Sequence, residues 1–231
     1  MRNKNIVFSL LIATGVISGC IGDYSATTTQ ISKIIPATYA FVIWLPIYAG
    51  GLYLAWILAK DKTFDLGSAA PWLAISYFLS GLWVRFQNYQ VLELAIIAMT
   101  LIVVLIQGNL ISRADLPATN NFRLATGLSG LLAGWLTLAS AIATADSLGI
   151  SYKSTSTVAI YVAFTVGFAV SAAKWIVPTT FYRGTIIWGL VAIIAQQYSQ
   201  ATEVAIVAGL GAIIASVMTL LMFKAQRRQV A

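Results

Sequence analysis

The sequence predicts an all-α, polytopic membrane bundle of about eight transmembrane helices with both termini in the cytoplasm. Three observations predict it. Of 231 residues, 59% are hydrophobic and 9% charged, against about 45–50% and about 25% in soluble domains. Apolar runs of about 18 to 25 residues, enough to span about 30 Å of hydrocarbon at about 1.5 Å per residue, recur along the chain. The basic residues gather in alternate connections between those runs.

The apolar runs centre near Ala13, Pro46, Ser80, Met99, Gly134, Phe164, Ala192 and Ala212. Polar stretches separate them: Ser25 to Lys33, Lys60 to Ser68, Arg85 to Gln90, Arg113 to Asn121, Asp146 to Ser156, Lys174 to Arg183 and Gln196 to Glu203. Eight helices put both termini and every second connection on one side. Arg2, Lys4, Lys60, Lys62, Arg113, Arg123, Lys174, Arg183, Lys224, Arg227 and Arg228 fall on that side, and Lys33, Arg85 and Lys153 on the other. Eleven cations against three place the first set in the cytoplasm.

A net charge of +7 does not imply nucleic acid, because the cations lie between apolar runs and form no basic stripe on a soluble face. Cys20 is the one cysteine and histidine is absent, which removes an intrachain disulfide, a Cys/His metal site and a histidine base. The first run, ending Ile17-Ser18-Gly19-Cys20 behind Arg2 and Lys4, has the form of a bacterial lipoprotein signal with Cys20 as the lipidated residue. Gly15 and Gly19 instead have the spacing that lets packed membrane helices approach closely, which favours a retained helix.

In the second run Pro36 marks a helix start, where no backbone donor is needed. Phe41, Trp44 and Tyr48 follow at i, i+3 and i+7, placing three rings on one helical face. Pro46, inside the same run, removes one hydrogen bond and is expected to bend the helix. Trp44 and Tyr48 lie about 12 to 18 Å beyond Pro36, too deep for an interfacial aromatic belt on that side; they are a ligand wall or ordinary packing. The third run carries Ser76, Ser80, Trp83 and Gln87 on one face, which can line a cavity or bond its own helix. The fifth has Gly127, Gly130 and Gly134 before Trp135, then Ala139 and Ala143, a large ring beside a smooth shelf or a helix-packing stripe.

These residues resemble the tryptophan-rich sensory proteins, also called the translocator protein or peripheral benzodiazepine receptor family (TspO/MBR). Pro36, Phe41, Trp44 and Tyr48 sit at the offsets of the family's second-helix motif. Leu79-Ser80-Gly81-Leu82-Trp83 is similar to its Asn-x-x-Trp, and Gly134-Trp135-Leu136-Thr137-Leu138-Ala139 to its Trp-x-x-x-Ala. Ser80 replaces the usual asparagine, Ala143 stands where another is common, and the Pro-Tyr before the fifth-helix tryptophan is missing. The resemblance covers about residues 1–148, which would be the family's five-helix unit, and leaves 149–231 as a three-helix membrane extension of the kind found in the long, mostly bacterial branch.

The resemblance implies a sensor or transporter in a bacterial cytoplasmic membrane. It would bind a bulky hydrophobic small molecule, a porphyrin, haem-like or sterol-like ligand, with no cofactor required. The implied ligand-binding residues are Phe41, Trp44, Tyr48, Ser80, Trp83, Trp135 and Ala139, since aromatic rings offer stacking area and an indole donor. Trp188, Gln196 and Gln197 would cap such a cavity. The chief alternative is an ion-coupled carrier or channel, for which Glu93, with Arg85 nearby, is the nearest intramembrane charge. A retinal protein would need a deep lysine beside a carboxylate, and Lys174 is terminal with no such partner. No acid–base constellation points to an enzyme, although the resemblance leaves room for slow tetrapyrrole degradation involving Trp44 or Trp135. Gly15, Gly19, Gly130 and Gly134 would permit a helix-packed homodimer.

Overall fold

The computed structural model describes residues 2–21, 32–61, 63–86, 89–114 and 119–230. Gln87, Lys62 and most of the first connection therefore lie outside the described residues. Among the described residues the chain forms eight α-helices and no strand: α1 (Arg2–Cys20), α2 (Trp44–Lys60), α3 (Ala69–Phe86), α4 (Gln90–Arg113), α5 (Asn120–Ser147), α6 (Thr155–Trp175), α7 (Thr180–Gln197) and α8 (Thr202–Val230). Each of the eight expected centres falls in its own helix. Five spans are individually long and apolar enough to cross a bilayer: Thr38–Lys60, Val91–Arg113, Asn120–Ser147, Thr155–Trp175 and Thr202–Lys224. Lys4–Cys20 is a shorter apolar helix, while α3 and α7 carry Arg85 and Arg183.

Two details of the sequence reading are corrected. The second span does not start as an α-helix at Pro36; it begins with a 3-10 segment, Thr38–Ile43, that passes into α2 at Trp44. Pro46 thus stands in the first turn of α2 instead of in mid-helix, where a missing donor costs little because first-turn N–H groups lack α-helical partners. Arg183, expected in a polar connection, lies inside α7 and is 2% exposed. Thr179 is the reason the helix starts early enough to include it: its Oγ1 accepts the backbone N–H of Tyr182 at 3.1 Å, an N-cap that sets the first turn.

Helices α2, α1, α3, α4 and α5 form a closed ring in that spatial order, with α5 packed back on α2. Outside the ring, α7 lies on α5, α8 on α7, and α6 against α8 and the flank of α5. The span of α5 is 78% buried, against 33–50% for the other four long spans, so α5 is the hub. Small residues make this close packing feasible where apolar surface alone gives no drive between helices in lipid. A side chain at Gly15 would strike the backbone carbonyl of Tyr77, and one at Gly81 would strike Gly15. Ser18 Oγ donates across the same contact to Gly81 O at 3.0 Å. Gly19 makes room for the Tyr48 hydroxyl, and Gly130 and Gly134 press on Thr179, Tyr182 and Thr185. The four glycines considered for a dimer are therefore occupied by contacts within the chain.

Candidate functional site

The 3-10 segment has about three residues per turn. Phe41 and Trp44 are therefore one above the other, and both meet Trp135 of α5 edge-on, with ring centroids 5.7 and 6.2 Å away. One α-helical turn further, Tyr48 stacks on Trp44 at 4.9 Å with a 21° interplanar angle. These are the offset and T-shaped arrangements that ring quadrupoles favour. Trp135 is 2% exposed and its indole N–H has no acceptor. Ala139, one turn along α5, is buried; Phe41 is 40% exposed on the outer side of the cluster.

Four of the expected site residues, Phe41, Trp44, Tyr48 and Trp135, are thus brought together, with Ala139 following on the same helix face. The α3 residues are differently engaged. Ser80 Oγ donates to Tyr77 O of its own helix at 2.8 Å, and Ser76 Oγ to Trp72 O at 2.8 Å. Trp83 Nε1 donates to Glu93 Oε1 at 3.3 Å, and Glu93 Oε2 accepts from Ser147 Oγ at 3.2 Å. Glu93, considered above beside Arg85, is therefore half-buried and joins the ends of α3, α4 and α5.

Sequence reasoning missed how α7 holds the site. Trp188 Nε1 donates to Ala40 O at 3.1 Å, and its ring meets Tyr39 edge-on at 5.4 Å. Ala37 N donates to Ala192 O at 2.9 Å, and Gln197 Nε2 reaches Ser32 O and Ile35 O at 3.2 and 3.0 Å. Helix α7 thereby pins residues 32–37 and the 3-10 segment that carries Phe41 and leads into Trp44. Trp188 and Gln197, read from the sequence as caps of a cavity, instead bond backbone carbonyls 148 to 165 residues away in sequence.

The aromatic cluster sits at the junction of α2 and α5, two helices of the glycine-packed ring. Residues 5–221 match the family described as TSPO-like protein. The chain belongs to that family. No curated protein and no solved structure matches it. The match runs continuously through the ring and the outer helices, so this TSPO-like chain is an integral membrane protein whose apolar helices contact lipid.

Proposed function

We propose that this TSPO-like protein is a membrane sensor or transporter that binds a bulky, flat hydrophobic ligand, a porphyrin or other tetrapyrrole or a sterol-like molecule, at the Phe41, Trp44, Tyr48 and Trp135 cluster. The observation that supports it most is the buried indole N–H of Trp135 with no acceptor. Leaving a buried donor unpaired costs about 1–3 kcal/mol, and native proteins keep few such groups without a use for them. A ligand carrying one carbonyl, carboxylate or ring nitrogen beside a large apolar face would supply the acceptor and stack on the surrounding rings. Phe41, the most exposed ring of the cluster, is the side from which it would enter.

The reading is one of binding rather than catalysis, and assigns the five-helix ring, about residues 1–148, to the ligand and residues 149–231 to holding the 3-10 segment in place. It places the protein in a bacterial cytoplasmic membrane with the basic end, and so both termini, in the cytoplasm. A homodimer would have to use surfaces other than the four glycines already buried within the chain.

Porphyrin titration of the purified protein, read by tryptophan quenching, tests the proposal. Saturable quenching is expected, weakened about tenfold or more in Trp44→Ala and in Trp135→Ala, the equivalent of about 1.4 kcal/mol. Absence of saturation, or curves unchanged in both variants, would sink the porphyrin version.

A further inference from the structure

The helices of the ring meet along seams that are fastened in different ways. Between α1 and α3, Ser18 Oγ bonds Gly81 O where the two backbones touch at Gly15. Trp83 bonds Glu93 between α3 and α4, and Gln107 Nε2 donates to Ser129 Oγ between α4 and α5. Helix α2 is fastened to α1 and α3: Gly19 makes room for the Tyr48 hydroxyl, and Tyr77 Oη donates to Ile47 O at 3.1 Å. Where α2 meets α5, the contacts are the edge of Trp44 on Trp135 and Gly50 against the Leu128 side chain. This is also the most lightly packed seam of the ring.

We propose that the α2–α5 seam is a lateral gate: α2 leans away from α5 about the junction of Ile43 with Trp44 and opens the aromatic site to the lipid. That a ligand uses the gate rests on the function proposed above. The solvent decides first which seam can part. Lipid tails replace lost apolar contacts almost evenly, whereas parting a hydrogen-bonded seam leaves polar groups unmet in hydrocarbon.

The chain on either side of the junction is tied to different bodies. Residues 32–40 are held to α7 and to the turn at residues 150–153. Lys33 N and Nζ donate to Ser151 O and Lys153 O at 3.2 and 2.6 Å. Gln197, Ala192 and Trp188 hold Ser32, Ile35, Ala37 and Ala40. Beyond the junction, Ile47 and Tyr48 are tied to α3 and α1. The two sets of ties meet where the 3-10 segment gives way to α-helix, a passage that often marks a hinge. Pro46 has no N–H to give across it. Opening would carry Trp44 and Tyr48 away with α2 and leave Phe41 and Trp135 behind, a slot between flat rings that bares the Trp135 indole N–H. On the outer side of the seam Pro46 and Leu131 line an open groove, so the slot faces lipid.

The test uses the full chain in vesicles, in a Cys20→Ser background. Without any ligand, thiol labelling by N-ethylmaleimide compares Leu128→Cys, buried in the α2–α5 seam, with Ala133→Cys, buried against Gly108 in the α4–α5 seam. Each rate is taken relative to the same variant unfolded in detergent. Labelling of a buried thiol reads the population of the open form, so Leu128→Cys is expected to react about tenfold or more faster. Equal rates overturn the gate. A Cβ at Gly50 would lie 3.0 Å from Leu128 Cγ, which puts the two Cβ atoms within about 4.5 Å and inside disulfide reach. The oxidised Gly50→Cys/Leu128→Cys protein is expected to show porphyrin quenching slowed about tenfold or more, restored when the same protein is reduced. Quenching as fast oxidised as reduced overturns entry through the seam. Fast labelling of Leu128→Cys with no porphyrin quenching in any form supports the gate and sinks the porphyrin ligand, so the two readings fail separately.

Discussion

The aromatic junction of α2 with α5 and the serine–tryptophan face of α3 are written into the sequence in the same way, as residues three, four or seven apart, yet they end differently. At the junction, rings from two helices converge and leave the N–H of Trp135 without an acceptor. On α3, Ser76 and Ser80 bond their own helix and Trp83 bonds Glu93. Spacing states which side chains share a face. Whether their hydrogen-bonding capacity is spent depends on what packs opposite: the Trp135 N–H is left over, while the α3 groups are paired.

The strongest way to break the comparison is to disturb the packing on which the α3 side depends. Gly81→Leu would drive a side chain into the backbone of Gly15, where no rotamer change can relieve it. A loss of about 3 kcal/mol or more, or no folded protein, is expected in thermal unfolding in detergent. Folded Gly81→Leu with an unchanged Tm would mean that the α1–α3 contact is looser than described.

Next in size is Trp135→Phe, which keeps an aromatic ring and deletes the unpaired donor. Ligand affinity is expected to fall about two- to tenfold, the worth of one neutral hydrogen bond, while the smaller ring leaves a cavity at a 2% exposed position and lowers Tm without ligand. Affinity unchanged in the folded variant would remove the main support for the site. Trp188→Phe sharpens the role of the outer helices. Losing the bond to Ala40 O is expected to cost about 0.5–1.5 kcal/mol and to weaken porphyrin binding, because the 3-10 segment is held less firmly. Binding unchanged alongside lowered stability would confine α7 to a structural role.

The smallest effect is expected from Ser80→Ala. The hydroxyl bonds its own helix, so porphyrin affinity should stay within about twofold and stability within about 0.5 kcal/mol. A larger loss of affinity would return the α3 face to the ligand site.

Much of this was legible in the chain. The eight apolar runs, the close-packing glycines and the shared face of Phe41, Trp44 and Tyr48 all have local signatures. Pro46 misled because its effect depends on where the 3-10 segment gives way to the α-helix, which no residue in the run marks. Arg183 misled because charge suggests a connection, while the cap at Thr179 draws it into α7. Trp188 and Gln197 were read as caps of a cavity, but their partners could not be read, since the acceptors lie in the 3-10 segment and the residues before it.

By itself the sequence determined that this chain enters the membrane as a set of helices, because in hydrocarbon each segment must satisfy its own backbone and its apolar length settles whether it can. Only the tertiary structure decided that α5 is the hub, that α7 clamps the 3-10 segment, and which indole N–H is left without a partner. Those outcomes depend on how small residues and single polar groups far apart in the chain meet across helix faces. Hydropathy along one segment carries no record of what packs against it.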